Sequence, residues 1–486
     1  MELRRAHKRQ RSQSPASPPQ HQQPATATSD PSPTWLPDIA VQRVADLLTS
    51  NEVACALRLV NKATAAQLSA PQHTTVRLSQ PVPHHAFARR WASPDALRTL
   101  TREQRRELPC LTARSGSIAD LEVLLARDDL PRVLDDDVLE AAAAAGQLDV
   151  CVWLKQRGCP FKAGLLAEAA KGGHQAVCEW LLANGCTKID DDWGSVAGAA
   201  KGGHVGLMDW LLLRADTTEV DELLEAAAEG CDLPTLQRLH HIHVDSCSHM
   251  GLPSPYTSSV LSAAAAGSRT EDWQAKMEWL EARGYPRTEE SCGAAAGMPD
   301  ALPRLQWLRQ RGYPLGNGVA ASAAGAGNLA ALQYVLDQGV EVHVDMMRYA
   351  AEGGHVAVME VLHARGAPMD EEMVRTAAAA GHLTAVAWLV ERLGAAAALT
   401  THVFAAAAKA ASMELLGWLR ARGCPWDVKV FVAAAEQGSE EQLEWLADQG
   451  CPVDWDVVEA AAARHYDGEL VGWLQAQRKQ RAPAAV

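Results

Sequence analysis

The chain has 486 residues and a net charge of −14, with a pI near 5.7. So acidic a surface argues against wholesale nucleic-acid binding, which calls for a basic face against the phosphates. No apolar h-region follows the basic start and no apolar run is long enough to span a bilayer, so a soluble protein of the cytoplasm, the nucleus or both is expected.

Residues 1–33 are a polar Ser/Pro/Gln/Arg segment with too little apolar surface to order itself. Arg4, Arg5, Lys8, Arg9 and Arg11 within it have the composition of a nuclear-import signal, the alternative being a solvated tail. Residues 34–70 change character. Val41, Val44, Leu47 and Leu48 stand at helical spacing, and Ser50 or Asn51 can cap a second helix carrying Val53, Ala56, Leu57 and Val60. Residues 71–107 read as a connector with a short strand at Thr74–Leu78, a loop at His84-His85 and a helix near 95–107.

From about 108 to about 476 one phrase recurs. An alanine run leads to Gly, often Gly-His, then seven residues on to Trp-Leu, and closes on Arg-Gly-Cys-Pro or a variant. Trp153, Trp180, Trp210, Trp279, Trp307, Trp388, Trp418, Trp445 and Trp473 mark copies whose adjacent members stand 27–30 residues apart, and further copies without Trp turn at Gly230, Gly327 and Gly354. A fixed period of this size is the mark of a solenoid, whose units are stable only when stacked. Each unit reads as a helix, a Gly-centred turn, a second helix and a loop stopped by Gly and Pro, giving roughly 12–13 units. The Trp row could stack bases, but Val150, Val177 and Leu207 one turn earlier place it on the buried stripe. Cys159, Cys186, Cys424 and Cys451 recur in phase after the turn Gly, as buried filler in a reducing compartment. His174, His204, His355 and His382 also recur in phase, which fits structure rather than catalysis. Residues 477–486 form a basic tail.

The phrase at 144–159, Ala-Ala-Gly-Gln-Leu-Asp-Val-Cys-Val-Trp-Leu-Lys-Gln-Arg-Gly-Cys, resembles the second half of an ankyrin repeat, and 170–186, 351–367 and 379–394 match equally well. The Thr-Pro-Leu-His opening is absent and the units are short of the usual ~33 residues, so the resemblance implies reduced β-hairpin fingers. Partner contacts are then expected on the first helices and on Asp192, Trp193, Trp426, Asp427, Trp455 and Asp456. The stretch Leu36-Pro37-Asp38 to Arg58-Leu59-Val60-Asn61-Lys62 resembles an F-box, with Asn61 in place of the common Cys and Thr64 in place of Trp. That resemblance implies that Leu36, Pro37, Val44, Leu47, Leu48, Leu57 and Val60 dock on a Skp-type adaptor. The alternative is a helical cap on the end of the solenoid.

No constellation for hydrolysis or phosphate binding occurs. The longest insertion carries His240, His241, His243, Asp245, Cys247 and His249, and an extended chain would point His241, His243, Cys247 and His249 one way as candidate metal ligands. A solvated loop is the plainer reading, and no cofactor is expected. The expectation is an all-α protein, an ankyrin-like α-solenoid behind a short F-box-like helical unit. Its expected function is non-catalytic: a substrate receptor of a cullin-RING ubiquitin ligase that binds a protein client and no nucleic acid. A scaffold whose N-terminal helices only cap the array is the alternative, and a metal-dependent hydrolase a distant third.

Overall fold

A computed structural model describes residues 2–3, 38–130, 133–186, 192–214, 220–245, 255–437, 439–464 and 468–481. The protein is nearly all helical. The described strands are two residues each, Glu2–Leu3 running antiparallel to Val76–Arg77.

The N-terminal helices are short because local caps set their ends. Thr49 and Glu52 form a reciprocal capping box on Ser50–Cys55, and Asn61 and Thr64 form another on Lys62–Gln67. Their core is small, with Val41, Ala45, Val53 and Leu68 buried and Leu48 and Leu57 packed alongside. Such a core needs outside support. Asn51, wholly buried, supplies it: its amide donates to the carbonyls of Arg77, Gln80 and Pro81 and accepts from the Arg77 amide at 2.8 Å.

The connector is more ordered than its sequence suggests. His84 opens the helix His84–Trp91 instead of lying in a loop, and its Nδ1 sits 2.7 Å from the buried Asp120 carboxylate. Leu97 lies in a 3-10 turn, Pro94–Leu97, and the helix expected near 95–107 runs instead from Arg102 to Arg114. The physical reason is Thr101, whose capping box with Gln104 starts the helix there.

From Arg102 to Arg481 the described residues form thirteen helix pairs. One pair is Asp136–Ala144 and Leu148–Gln156; the next is Leu165–Lys171 and Gln175–Ala183. The turn within a pair needs a left-handed residue. Gly327, at φ +71°, shows why Gly is required, since a Cβ there would stand 2.7 Å from the His355 ring of the following unit. The rings of His174, His204 and His382 sit in the same way over Gly146, Gly173 and Gly354.

Side-chain size bends the stack. The first helices carry paired alanines, such as Ala142-Ala143, Ala169-Ala170 and Ala323-Ala324, all wholly buried. Small side chains let these helices press closely on the first helices of both adjoining units, whereas the second helices, with Trp and Leu between them, touch one another sparsely. Closer spacing on one side places the first helices inside the curve. The curve brings the start of the array back to its twelfth pair. Arg98 meets Glu440 at 3.4 Å and Glu444 at 2.9 Å, Arg105 reaches Glu440, and the Glu441 amide donates to the Arg98 carbonyl. More than 330 residues separate the two sides of this clasp.

Candidate functional site

The recurrent residues are consumed by packing. Trp153 and Trp388 are buried, and Trp180, Trp210, Trp279, Trp307, Trp418, Trp445 and Trp473 are half-buried against the core. In many copies an arginine four residues later, one helical turn on, lies over the indole. The pairs are Arg157 on Trp153 at 3.9 Å, Arg214 on Trp210 at 4.0 Å, Arg311 on Trp307 at 4.3 Å and Arg422 on Trp418 at 3.8 Å. Several of these guanidiniums also reach a carboxylate of the preceding unit, Arg157 to Glu122 and Arg311 to Glu281. The faces of these indoles are thus covered by a guanidinium. The Trp-to-Arg spacing was visible in the repeated phrase, but its role was missed, because the arginine reads as a loop residue.

The phased cysteines donate their thiols across units, Cys159 to the Asp135 carbonyl at 3.2 Å and Cys424 to the Thr400 carbonyl at 3.4 Å. Burial pushes the Cys424 and Cys451 thiols up to about 12, so they are poor nucleophiles. The residue after the turn Gly reaches back to the end of the preceding first helix: His355 Nε2 lies 3.0 Å from the Gly325 carbonyl, and Gln147 and Asn328 donate to Arg114 and Ala296. Each fills carbonyl valences that a helix end leaves open.

The His-rich insertion forms a single π-turn, His241–Asp245, as far as it is described. His240 is buried beside it, 2.8 Å from the Tyr285 hydroxyl and edge-on to Trp279. Burial lowers its pKa, overriding the opposing pull of Asp245. His241 is exposed and His243 half-buried, while Cys247 and His249 lie outside the described residues. Among the described residues no three His, Cys, Asp or Glu side chains converge in a way that could hold a metal ion.

Of the N-terminal candidates, Leu36 and Pro37 lie outside the described residues. Leu47 and Val60 are well exposed, at 87% and 55%, and Val44 is exposed to a lesser degree. Leu48 and Leu57 pack on the small core. Of the loop candidates, Trp426 packs on Phe404 beneath Arg420, Trp455 packs on Phe431, Asp427 accepts from the Lys429 amide, and Asp456 pairs with Arg478. Asp192 opens the helix Asp192–Lys201, but the side chains of Asp192 and Trp193 are outside the described set.

Among the described residues, one surface open to a ligand is the inner face of the first helices. The helix Val220–Gly230 presents Asp221, Glu222, Glu225 and Glu229 and no cation, and burial raises the Glu225 pKa. Glu289 and Glu290 open one further first helix, and Glu371 and Glu372 another. Two clefts lie on this face. One is shared by Arg102, Arg106, Asp137 and Gln437, where the first, second and twelfth pairs converge; the other is formed by Asp370, Glu371, Glu372, Arg375 and His402. A repeated surface of this kind suits binding rather than chemistry at one point.

No protein-family model and no curated protein matches the chain. Solved structures similar to it include the pentatricopeptide repeat protein PPR10 from maize, at 12% identity and a TM-score of 0.28, covering 91% of this chain and 78% of that one. PPR10 in complex with an 18-nucleotide psaJ RNA element is similar at the same identity and TM-score, over 94% of this chain and 78% of that one. Three expectations are corrected. The ankyrin assignment does not stand: the connections between described units are tight glycine loops without hairpins. The F-box, Skp-adaptor and ubiquitin-ligase assignments do not stand either: Asn61 and Thr64, read as the closing phrase, instead cap a helix, and Leu48 and Leu57 pack inward on the small core instead of sharing one docking face with Leu47 and Val60. The exclusion of nucleic acid is withdrawn, because it rested on the net charge of the whole chain. Net charge is a sum over the whole molecule, and it leaves room for a local excess of positive charge such as that of Arg58 and Arg90.

Proposed function

We propose that the protein is a scaffold that holds a basic, extended protein segment along the inner, first-helix face of its solenoid. The observation that carries this reading is the run of carboxylates on that face, from Asp136 and Asp137 through the Asp221–Glu229 cluster to Glu371 and Glu372. Opposite charges steer encounter and fix register, and a groove walled by protein focuses the field. The test is fluorescence anisotropy of the full chain with a Lys/Arg-rich peptide, an acidic peptide and a single-stranded RNA of equal length. Saturable binding of the basic peptide is expected, weakened by salt and by Asp221→Asn with Glu222→Gln and Glu229→Gln. Tight binding of the RNA alone, or no effect of the three neutralising changes, would overturn the proposal.

A further inference from the structure

A cavity lies where the N-terminal helices meet the array. It sits between Ser50–Cys55, the strand Val76–Arg77 and the helix His84–Trp91, and encloses about 690 Å³ of empty space, part of it open to solvent. Phe87 and Trp91, each 2% exposed, form one wall with ring centres 6.3 Å apart, and Val76 and Leu78 add to the apolar lining. Among the described residues lining it, the charged ones are Arg58 and Arg90, and none is a carboxylate. That is a local excess of positive charge in a chain of net charge −14.

Arg58 differs from the arginines that pair along the array. Arg106, Arg157 and Arg238 each meet a carboxylate at 3.4 Å or less. Arg58 makes no hydrogen bond or ion pair with any described residue, and its Nε is buried without a partner. A buried donor left unpaired is costly, so such a group calls for an acceptor. Arg90 lies over the Trp91 ring at 4.7 Å, which holds a second guanidinium at the same wall. A guanidinium fork matches a carboxylate in two parallel hydrogen bonds.

We propose that this cavity binds a compact amphiphilic carboxylate, with an aromatic or branched apolar body against Phe87 and Trp91 and its anionic group on Arg58. A neutral acceptor would leave the guanidinium charge uncompensated, and a bare inorganic anion would gain nothing from the aromatic wall. The repulsion of the acidic array is screened within about 10 Å at ordinary salt, so the two arginines decide the local field.

The full-length chain titrated with phenylpropionate and, separately, with its amide tests this by calorimetry. The acid is expected to bind saturably and the amide about tenfold more weakly or worse. Arg58→Gln should cost the acid a similar factor while leaving helical circular dichroism and the melting temperature unchanged, since Arg58 bonds no described residue. Ala86→Trp, which fills the cavity from the Ala86 position, should abolish binding of both. Absence of saturable binding by the acid, equal binding of acid and amide, or an Arg58→Gln protein that binds like the parent would each overturn the proposal. Capture of an acidic peptide but of neither small molecule would overturn it too, and reassign the cavity to a protein partner.

Discussion

The two helical layers of the array use opposite means to the same end. The first helices are held by smallness: paired alanines bring neighbouring backbones together and leave the outward face free for charge. The second helices are held by bulk, an indole wedged in the seam and covered by the arginine one turn later. The lesson is about division of labour. The bulky layer spends its distinctive side chains on cohesion, and the small layer, curved inward by close packing, keeps a surface for a partner. The clasp between Arg98, Arg105, Glu440 and Glu444 follows from that asymmetry, because a stack with equal layers would run straight.

The comparison breaks most directly in the core. Trp153→Ala should lower the unfolding free energy by about 3–5 kcal/mol, and Ala324→Leu, which adds volume where the backbones are closest, by about 1–3 kcal/mol, both read from urea transitions. If Ala324→Leu proved neutral, the small layer would not be tightly packed and the account of curvature would fail. Gly327→Ala comes next, at about 1–2 kcal/mol for the left-handed backbone alone, with the His355 contact adding to it. In the second layer, His240 makes the comparison pH-dependent. Burial depresses its pKa below the ordinary 6.5, so the unfolded chain takes up the proton more readily than the folded one. Stability is therefore full above about 6.5 and falls as the pH drops below that value. Melting temperatures from pH 7.5 to 5.5 should decline, and less steeply in His240→Gln. The smallest effect on stability is at the clasp. Arg98→Glu with Arg105→Glu should change it by less than about 1 kcal/mol, yet raise the radius of gyration in small-angle scattering. Glu440→Arg with Glu444→Arg in the same chain should restore the compact form.

Much of the solenoid was legible in the chain. The period, the left-handed Gly after each alanine run, the buried tryptophans and the structural role of the phased histidines all follow from residue type and spacing. The connector was legible only in part: the sequence reading of a loop at His84 missed a hydrogen bond with Asp120, a partner 36 residues away that no local pattern signals. The arginine lids lay in plain view at a spacing of four, but their function depends on an indole being half-exposed, and burial is a tertiary quantity. The family-level resemblances misled for a related reason. Short phrases such as Gly-His or Leu-Pro-Asp are reused wherever a helix must start or stop, so they report local geometry before ancestry.

By itself the sequence determined what repeats: two short helices per unit, small residues in one and large in the other, and glycine wherever the chain must turn left-handed. These are local consequences of side-chain volume and backbone freedom. Only the tertiary structure decided how the units add up. The direction of curvature, the meeting of the first and twelfth pairs, and the cavity in which Arg58 Nε meets no acceptor among the described residues all depend on small offsets summed over many interfaces.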